Sequence, residues 1–289
     1  MKSSAYHVKP GSRVRLASHD PGDTGHYKDK HAARTRLAED ILEMQRLQDI
    51  FYAADSYSLL IIFQALDAAG KDGAIKHVMS GLNPQGCQVA AFKSPSATEL
   101  DHDYLWRCNI RLPERGRIGI FNRSYNEDVL AVRVHPEYLA AQKLPPKLTG
   151  ANLWKRRFEE ISHYEKYLAD NGTRILKFFL HVSKDEQKRR FLERIENPDK
   201  NWKLSPSDVK ERQHWHDYEA AYEDLLSHTS TDWAPWYVIP ADKKWFSRTL
   251  IANVIVRELQ KLKLSYPKVS PAHLAAIQES KAALLAEKD

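Results

Sequence analysis

Asp67, Lys71 and Asp72 stand within the loop Ala65-Leu66-Asp67-Ala68-Ala69-Gly70-Lys71-Asp72-Gly73, which joins the apolar run Ser58 to Gln64 to a helix-forming segment. An ammonium and two carboxylates beside small residues point to phosphate chemistry. The N–H groups of Ala68, Ala69, Gly70 and the residues up to Gly73 fall where a helix begins, so they lack intrahelical partners and carry partial positive charge. Lys71 adds a full charge to that cradle. The loop departs from the GxxxxGK[ST] phosphate-binding pattern at two places: Ala65 replaces the first glycine, and Asp72 replaces the metal-holding Ser or Thr. Carboxylates next to a phosphate site make sense when cations sit between them. The loop therefore implies phosphoryl transfer assisted by magnesium, with manganese as the other candidate metal. The plain alternative is a buried strand and an ordinary glycine turn, in which Asp67 bonds its own backbone.

Elements able to hold such a loop are legible around it. Five short apolar runs read as buried strands: Ser58 to Gln64, Gln88 to Phe92, Arg117 to Asn122, Arg174 to Val182 and Trp236 to Ile239. Helical patterns separate them, which predicts an α/β fold: a parallel sheet covered on both faces, with ligands at the carboxyl ends of the strands. Helix starts are marked by Ser96 with Glu99, Ser183 with Glu186, Ser205-Pro206 and Ser270-Pro271. The helix from about His31 to Tyr52 carries Leu37, Ile41, Met44 and Leu47 on one face, to pack on the sheet or on a partner. The third strand runs into Asn122-Arg123, and the Arg123 guanidinium suits phosphate oxygens, with a structural ion pair as its alternative. Between Lys184 and Lys203, Phe191, Leu192 and Ile195 are expected to face inward while Arg190 and Arg194 line up on one flank.

Several ordered blocks resemble the family-2 polyphosphate kinases. They are Ala65 to Gly73, HVMSGLNPQGCQVAAFKSPS (His77 to Ser96), LPERGRIGIFNRSYNEDVLAVRVHPE (Leu112 to Glu137) and STDWAPWYVIPADKKWFSR (Ser230 to Arg248). The resemblance covers about Tyr27 to Leu262. It implies a phosphate-loop kinase fold that transfers phosphate reversibly between inorganic polyphosphate and AMP or ADP. Asn122 stands where many members carry Asp, and Glu127 follows it, as in the subgroup that uses both nucleoside mono- and diphosphates. The resemblance thus makes Asp67 and Glu127 the metal-holding carboxylates and Lys93, Arg133 and Lys76 holders of the polyphosphate chain. Separately, the Lys184 to Lys203 stretch resembles the arginine-bearing lid of nucleotide kinases, with Arg190 and Arg194 as its arginines and a solvated face as the alternative. Read singly, Lys76, Lys93 and Arg133 are ordinary solvated cations. Glu127 and Asp128 also fit a helix start, a role that suits Asp128 better.

The 289 residues suffice for one large core, and 44 Lys plus Arg against 38 Asp plus Glu give +6 and a pI near 9.1. That balance suits a polyanion, whether polyphosphate or nucleic acid, and the acids of the loop argue against nucleic acid. Cys87 and Cys108 form no metal-ligand pattern, so neither a disulfide framework nor a zinc site is expected. No apolar run is long enough to span a bilayer and no signal-peptide core is present, which predicts a cytoplasmic protein. The expected organisation is a flexible segment 1–26, a kinase domain 27–264 with its lid at about 184–212, and a C-terminal helix in 265–289. The helices at the two ends make a homo-oligomer the expected assembly. Two rival functions remain open: an ATP-dependent nucleoside monophosphate kinase and a non-enzymatic polyanion binder.

Overall fold

The computed structural model describes residues 3–287. Five parallel strands, β1 (Ser58–Gln64), β2 (Cys87–Ala91), β3 (Ile118–Asn122), β4 (Thr173–His181) and β5 (Trp236–Pro240), lie in the order β2-β3-β1-β4-β5. The first half adds helices α1 (Lys30–Ala54), α2 (Lys71–Val78), α3 (Ala97–Leu100), α4 (Trp106–Asn109), α5 (Ala131–Val134) and α6 (Pro136–Ala141). The second half adds α7 (Leu153–Asp170), α8 (Lys184–Glu196), α9 (Pro206–Glu211), α10 (Trp215–Thr229), α11 (Lys244–Lys261) and α12 (Pro271–Ala286). Strand positions match the sequence expectation within a residue or two at each end, because a run of apolar residues buried on both faces is a local signal.

The period-two alternation of the strands divides the core into two layers. Leu59, Ile61 and Phe63 of β1 pack with Met44 and Phe51 of α1, Val78 of α2 and Leu250 of α11. Leu60 and Ile62 point the other way, against Phe158 and Ile161 of α7 and Tyr222 and Leu225 of α10. β1 is therefore buried along its whole length and delivers its carboxyl end, with the loop that follows, to the middle of the sheet.

Two expectations are corrected by tertiary packing. β2 is an edge strand that pairs with β3 alone, so Val89 is 62% exposed rather than buried. The segment expected to be flexible is docked from Ser3 onward, while Met1 and Lys2 lie outside the described residues. Val8, Val14 and Leu16 are buried, the Val8 N–H donates to Trp236 O at 2.9 Å, and the Leu16 N–H donates to Glu223 Oε1 at 2.7 Å. A bridge between His7 and Tyr237 covers the outer edge of β5, which removes an unpaired sheet edge. α1 lies along α11, with Thr249 Oγ1 donating to Ala33 O at 3.0 Å. No residue of α12 is buried, and Lys288 and Asp289 lie outside the described residues. Among the described residues no helix is long and apolar enough to cross a membrane.

Candidate active site

The loop between β1 and α2 is shaped by left-handed backbone at Ala68 (φ 59°) and Gly70 (φ 112°). Glycine adopts that region freely and alanine does so at a cost, so the strain at Ala68 is held by its surroundings. Much of that hold comes from α8. Arg190 donates from Nε to Glu186 at 2.8 Å, from Nη1 to Ala68 O at 2.9 Å and Ala69 O at 2.7 Å, and from Nη2 to Ala241 O at 2.6 Å and Asp242 O at 3.2 Å. All five guanidinium donors are spent, and the side chain is buried. Gln187 adds a bond from Nε2 to Asp67 O at 2.8 Å. Arg190 therefore braces the loop from behind instead of lying open on a lid.

The inner face of α8 is set by these polar acceptors. It consists of Gln187, Arg190 and Phe191, whereas Leu192 and Ile195, expected inside, are 46% and 52% exposed. Arg194 stands over the Phe191 ring at 5.6 Å and donates from Nη1 to Lys203 O at 3.0 Å, which ties the two halves of the 184–212 segment together.

Lys71 opens α2 and turns back to donate from Nζ to Ala65 O at 2.8 Å, which leaves two ammonium protons for another acceptor. The side chain is nearly enclosed, at 9% exposure. Burial, and then the neighbouring Arg123 charge, push its pKa down to about 8, against the pull of Asp67, Glu127 and Asp72. Asp72 accepts from Asn122 Nδ2 at 2.7 Å, so the residue in the usual hydroxyl position is tied to the end of β3. Gly73 lies in the first turn of α2, and Lys76 is on its exposed side, with no part in the cavity wall.

β3 pairs directly with β1, setting Asn122 opposite Phe63, and the Arg123 N–H continues the ladder to Phe63 O at 2.9 Å. Arg123 then adopts left-handed backbone (φ 66°), which turns its side chain over the loop. Its Nη2 donates to Asp67 Oδ1 at 2.6 Å and its Nη1 to Glu127 Oε2 at 3.4 Å. The two carboxylates, Glu127 first, hold the guanidinium pKa above its usual value despite burial. Glu127 also accepts from Gln64 Nε2 at 3.2 Å. Its short turn, Tyr125–Val129, is anchored from below: Tyr125 OH donates to Glu165 at 2.8 Å, and Lys177 Nζ donates to the same carboxylate at 2.6 Å.

Asp128 does stand in the first turn of the short helix Tyr125–Val129, as expected, but its side chain is turned into the interior. It is buried, accepts from Gln142 Nε2 at 2.5 Å, and is pushed up to about 6 by burial, with Arg157 and Arg107 opposing. Arg133 is also placed differently from the expectation. It pairs with Asp224 of α10 at 2.8 Å and takes no part in the cavity wall, because α5 turns it toward α10. Lys93 remains exposed just beyond β2 and does line the cavity, while its carbonyl accepts from Arg107 Nη1 at 2.7 Å.

Asp67, Arg123 and Glu127 border a cavity of about 840 Å³ that runs from Ala65 toward Phe92, Leu105 and Leu153. Its wall mixes charged groups, Arg107 and Arg157 among them, with apolar and aromatic ones such as Phe92, Leu105 and Tyr104, which suits a ligand with an anionic head and a flat organic body. Asp208 and Glu211 of α9 line the same cavity and were not singled out from the sequence. Asp208 is disguised there as the capping partner of Ser205, whose N–H donates to it at 3.2 Å. Glu211 accepts from Tyr218 OH and faces His135 Nε2, both at 3.0 Å, so the end of the 184–212 segment is latched to α10 and to the segment joining α5 and α6. Among the described residues, no group of three or more His, Cys, Asp or Glu is placed to hold a metal alone. A pair of carboxylates completed by substrate phosphates is the ordinary arrangement for magnesium, and Asp67 with Glu127 fits it.

Comparison with known proteins agrees with this geometry. Residues 27–267 match the family described as Polyphosphate kinase 2. The chain is 48% identical over 286 residues to an ADP-polyphosphate phosphotransferase of Rhodopseudomonas palustris, covering 99% of each chain. It is 43% identical over 268 residues to an AMP/ADP-polyphosphate phosphotransferase of Meiothermus ruber, covering 92% of this chain and 96% of the other. The crystal structure of polyphosphate kinase 2 from Arthrobacter aurescens TC1 superposes with a TM-score of 0.85 at 38% identity, over 94% of this chain and 95% of that one. With a phosphate loop at the centre of a β2-β3-β1-β4-β5 sheet and relatives matched along nearly its whole length, this chain belongs to the polyphosphate kinase 2 family.

Proposed function

We propose that this protein transfers the terminal phosphate of inorganic polyphosphate to AMP and to ADP, giving ADP and ATP, and runs the reverse reaction from the nucleotide. The observation that carries this reading is the placement of Arg123 between Asp67 and Glu127, with the phosphate loop on one side and the long cavity on the other. The names of the relatives from Rhodopseudomonas palustris and Meiothermus ruber support polyphosphate with ADP, or with AMP and ADP. The Asn122 and Glu127 pair supports use of both acceptors.

Donor phosphates would lie on the loop N–H groups and Lys71, with the acceptor nucleotide in the cavity and its phosphate end at Arg123. The P–O bond to the rest of the polyphosphate breaks as the acceptor oxygen forms a new one, and both sides of the exchange remain anions. A strong general base is therefore not needed. Lys71 and Arg123 act by holding the two phosphates in line and offsetting the charge that develops between them. Asp67 and Glu127 would hold magnesium or manganese, and the ion, when bound, would supply further charge neutralisation. Lys93 at the cavity edge would reach the acceptor or donor phosphates. We also place the protein in the cytoplasm as a homo-oligomer.

The test is incubation of pure protein and magnesium with polyphosphate and AMP, with polyphosphate and ADP, and with ATP and AMP. Product in the first two mixtures is expected. Transfer only with ATP as donor would favour a nucleoside monophosphate kinase, and no transfer in any mixture would leave a polyanion binder.

A further inference from the structure

Arg248 stands one turn into α11, and among the described residues it has no acceptor of any kind. Its Nε is buried without a hydrogen-bond partner. An arginine whose donors are left over beside a phosphate loop calls for an anion. The charges that act on it sharpen the point. Burial, then Arg34 and Arg190, all lower its proton affinity, and no carboxylate offsets them. Arg190 is already spent on backbone carbonyls, so Arg34 and Arg248 are the two guanidiniums of this group left to bind something.

Their placement is fixed by the fold. The bond from Thr249 Oγ1 to Ala33 O clamps α11 to α1, and it joins the residues immediately beside Arg248 and Arg34. On the other side, the Arg248 Nη2 lies 3.5 Å from where a Cβ on Gly73 would be, so the side chain lies against the first turn of α2. A line of cations therefore leads from Lys71 by way of Gly73 to Arg248 and its neighbour Arg34.

We infer that Arg248 and Arg34 form a distal anion site that holds phosphates further along a donor chain whose terminal phosphate lies at Lys71, so that long polyphosphates are better donors than short ones. The inference rests on the proposed polyphosphate activity and adds a residue-level reason for chain-length preference. Two guanidiniums at the far end of the path gain contacts only when the chain is long enough to reach them, and each charge-assisted bond adds affinity without touching the reacting phosphate.

The experiment compares kcat/KM for a long polyphosphate and for tripolyphosphate, at saturating ADP, in the wild-type protein, Arg34→Ala and Arg248→Ala. Arg34 is exposed, so its variant tests the site without disturbing the core. The expected result is a wild-type preference for the long chain that falls about tenfold in each variant, on the scale of one lost charge-assisted hydrogen bond. Steeper salt dependence for the long chain than for tripolyphosphate should shrink in parallel. Equal kcat/KM for both donors in the wild-type protein, or an unaltered ratio in both variants, overturns the distal site. Failure of the wild-type protein to use either donor would instead refute the activity on which the inference rests.

Discussion

Arg123 and Asp67 are 56 residues apart in the chain, yet the guanidinium donates to the carboxylate at 2.6 Å and so closes the mouth of the phosphate loop. The same side chain faces Glu127 at 3.4 Å. One cation thus sits between the two acids proposed to hold a divalent ion, and it must share them with that ion when substrates bind. The pairing aims both acids at one point, which is what a transient metal site needs.

Replacing Arg123 by alanine is expected to lower kcat by roughly a hundredfold or more, because it removes charge stabilisation at the moving phosphate. Magnesium should bind the substrate-free variant more tightly than the wild-type protein, since its competitor is gone. Unchanged kcat in folded Arg123→Ala, measured alongside calorimetric titration of magnesium, would take the residue out of the reaction.

Glu127 and Asp128 are neighbours with opposite surroundings, and their variants should separate accordingly. Glu127→Gln should reduce turnover by roughly a hundredfold with little change in Tm, and added magnesium should partly restore it. Asp128→Asn disturbs a buried carboxylate that accepts from Gln142, so it should cost about 1 to 3 kcal/mol of stability and lower Tm by several degrees. Equal effects of the two changes on kcat and on Tm would contradict this division.

Lys71 carries a pKa pushed down to about 8 in the substrate-free protein, chiefly by burial. The protonated form is the one that attracts phosphate, so it is complete below that value and lost as pH rises through it. The kcat/KM for polyphosphate, which reports the free enzyme, should therefore fall on the alkaline side with a midpoint near 8. Lys71→Arg keeps its charge at every accessible pH, so its lower activity should lack that alkaline limb. An identical limb in both proteins would detach it from Lys71.

Arg190 separates a structural brace from an open lid cation. If it holds the loop through Ala68 and Ala69, Arg190→Lys should lower Tm as well as activity, because an ammonium cannot reach all five acceptors. Loss of activity at unchanged Tm, read by thermal denaturation, would return Arg190 to the substrate side.

The sequence by itself determined the sheet and the loop. Strand runs and the Ala65 to Gly73 loop are local patterns, set by burial on both faces and by the backbone demands of a helix start, and both were legible without partners. It also placed Arg123 directly after a strand end, on the side of the sheet where the loop lies. Only the tertiary structure decided where the remaining charges point. Arg133 and Asp128 read like site groups or surface charges until α10 supplies Asp224 to the first and Gln142 meets the second. Arg190 looked like a lid arginine because periodicity reveals which face a residue shares, but not that carbonyls of Ala68 and Ala241 wait on that face. β2 read as a buried strand because hydrophobicity cannot report that it has one neighbour instead of two. Asp208 was hidden by its local capping role, and the nearness of Arg34 to Arg248 depends on two helices more than two hundred residues apart in the chain, joined by Thr249 and Ala33. A charge takes its function from its partner, and a partner distant in sequence leaves no local trace.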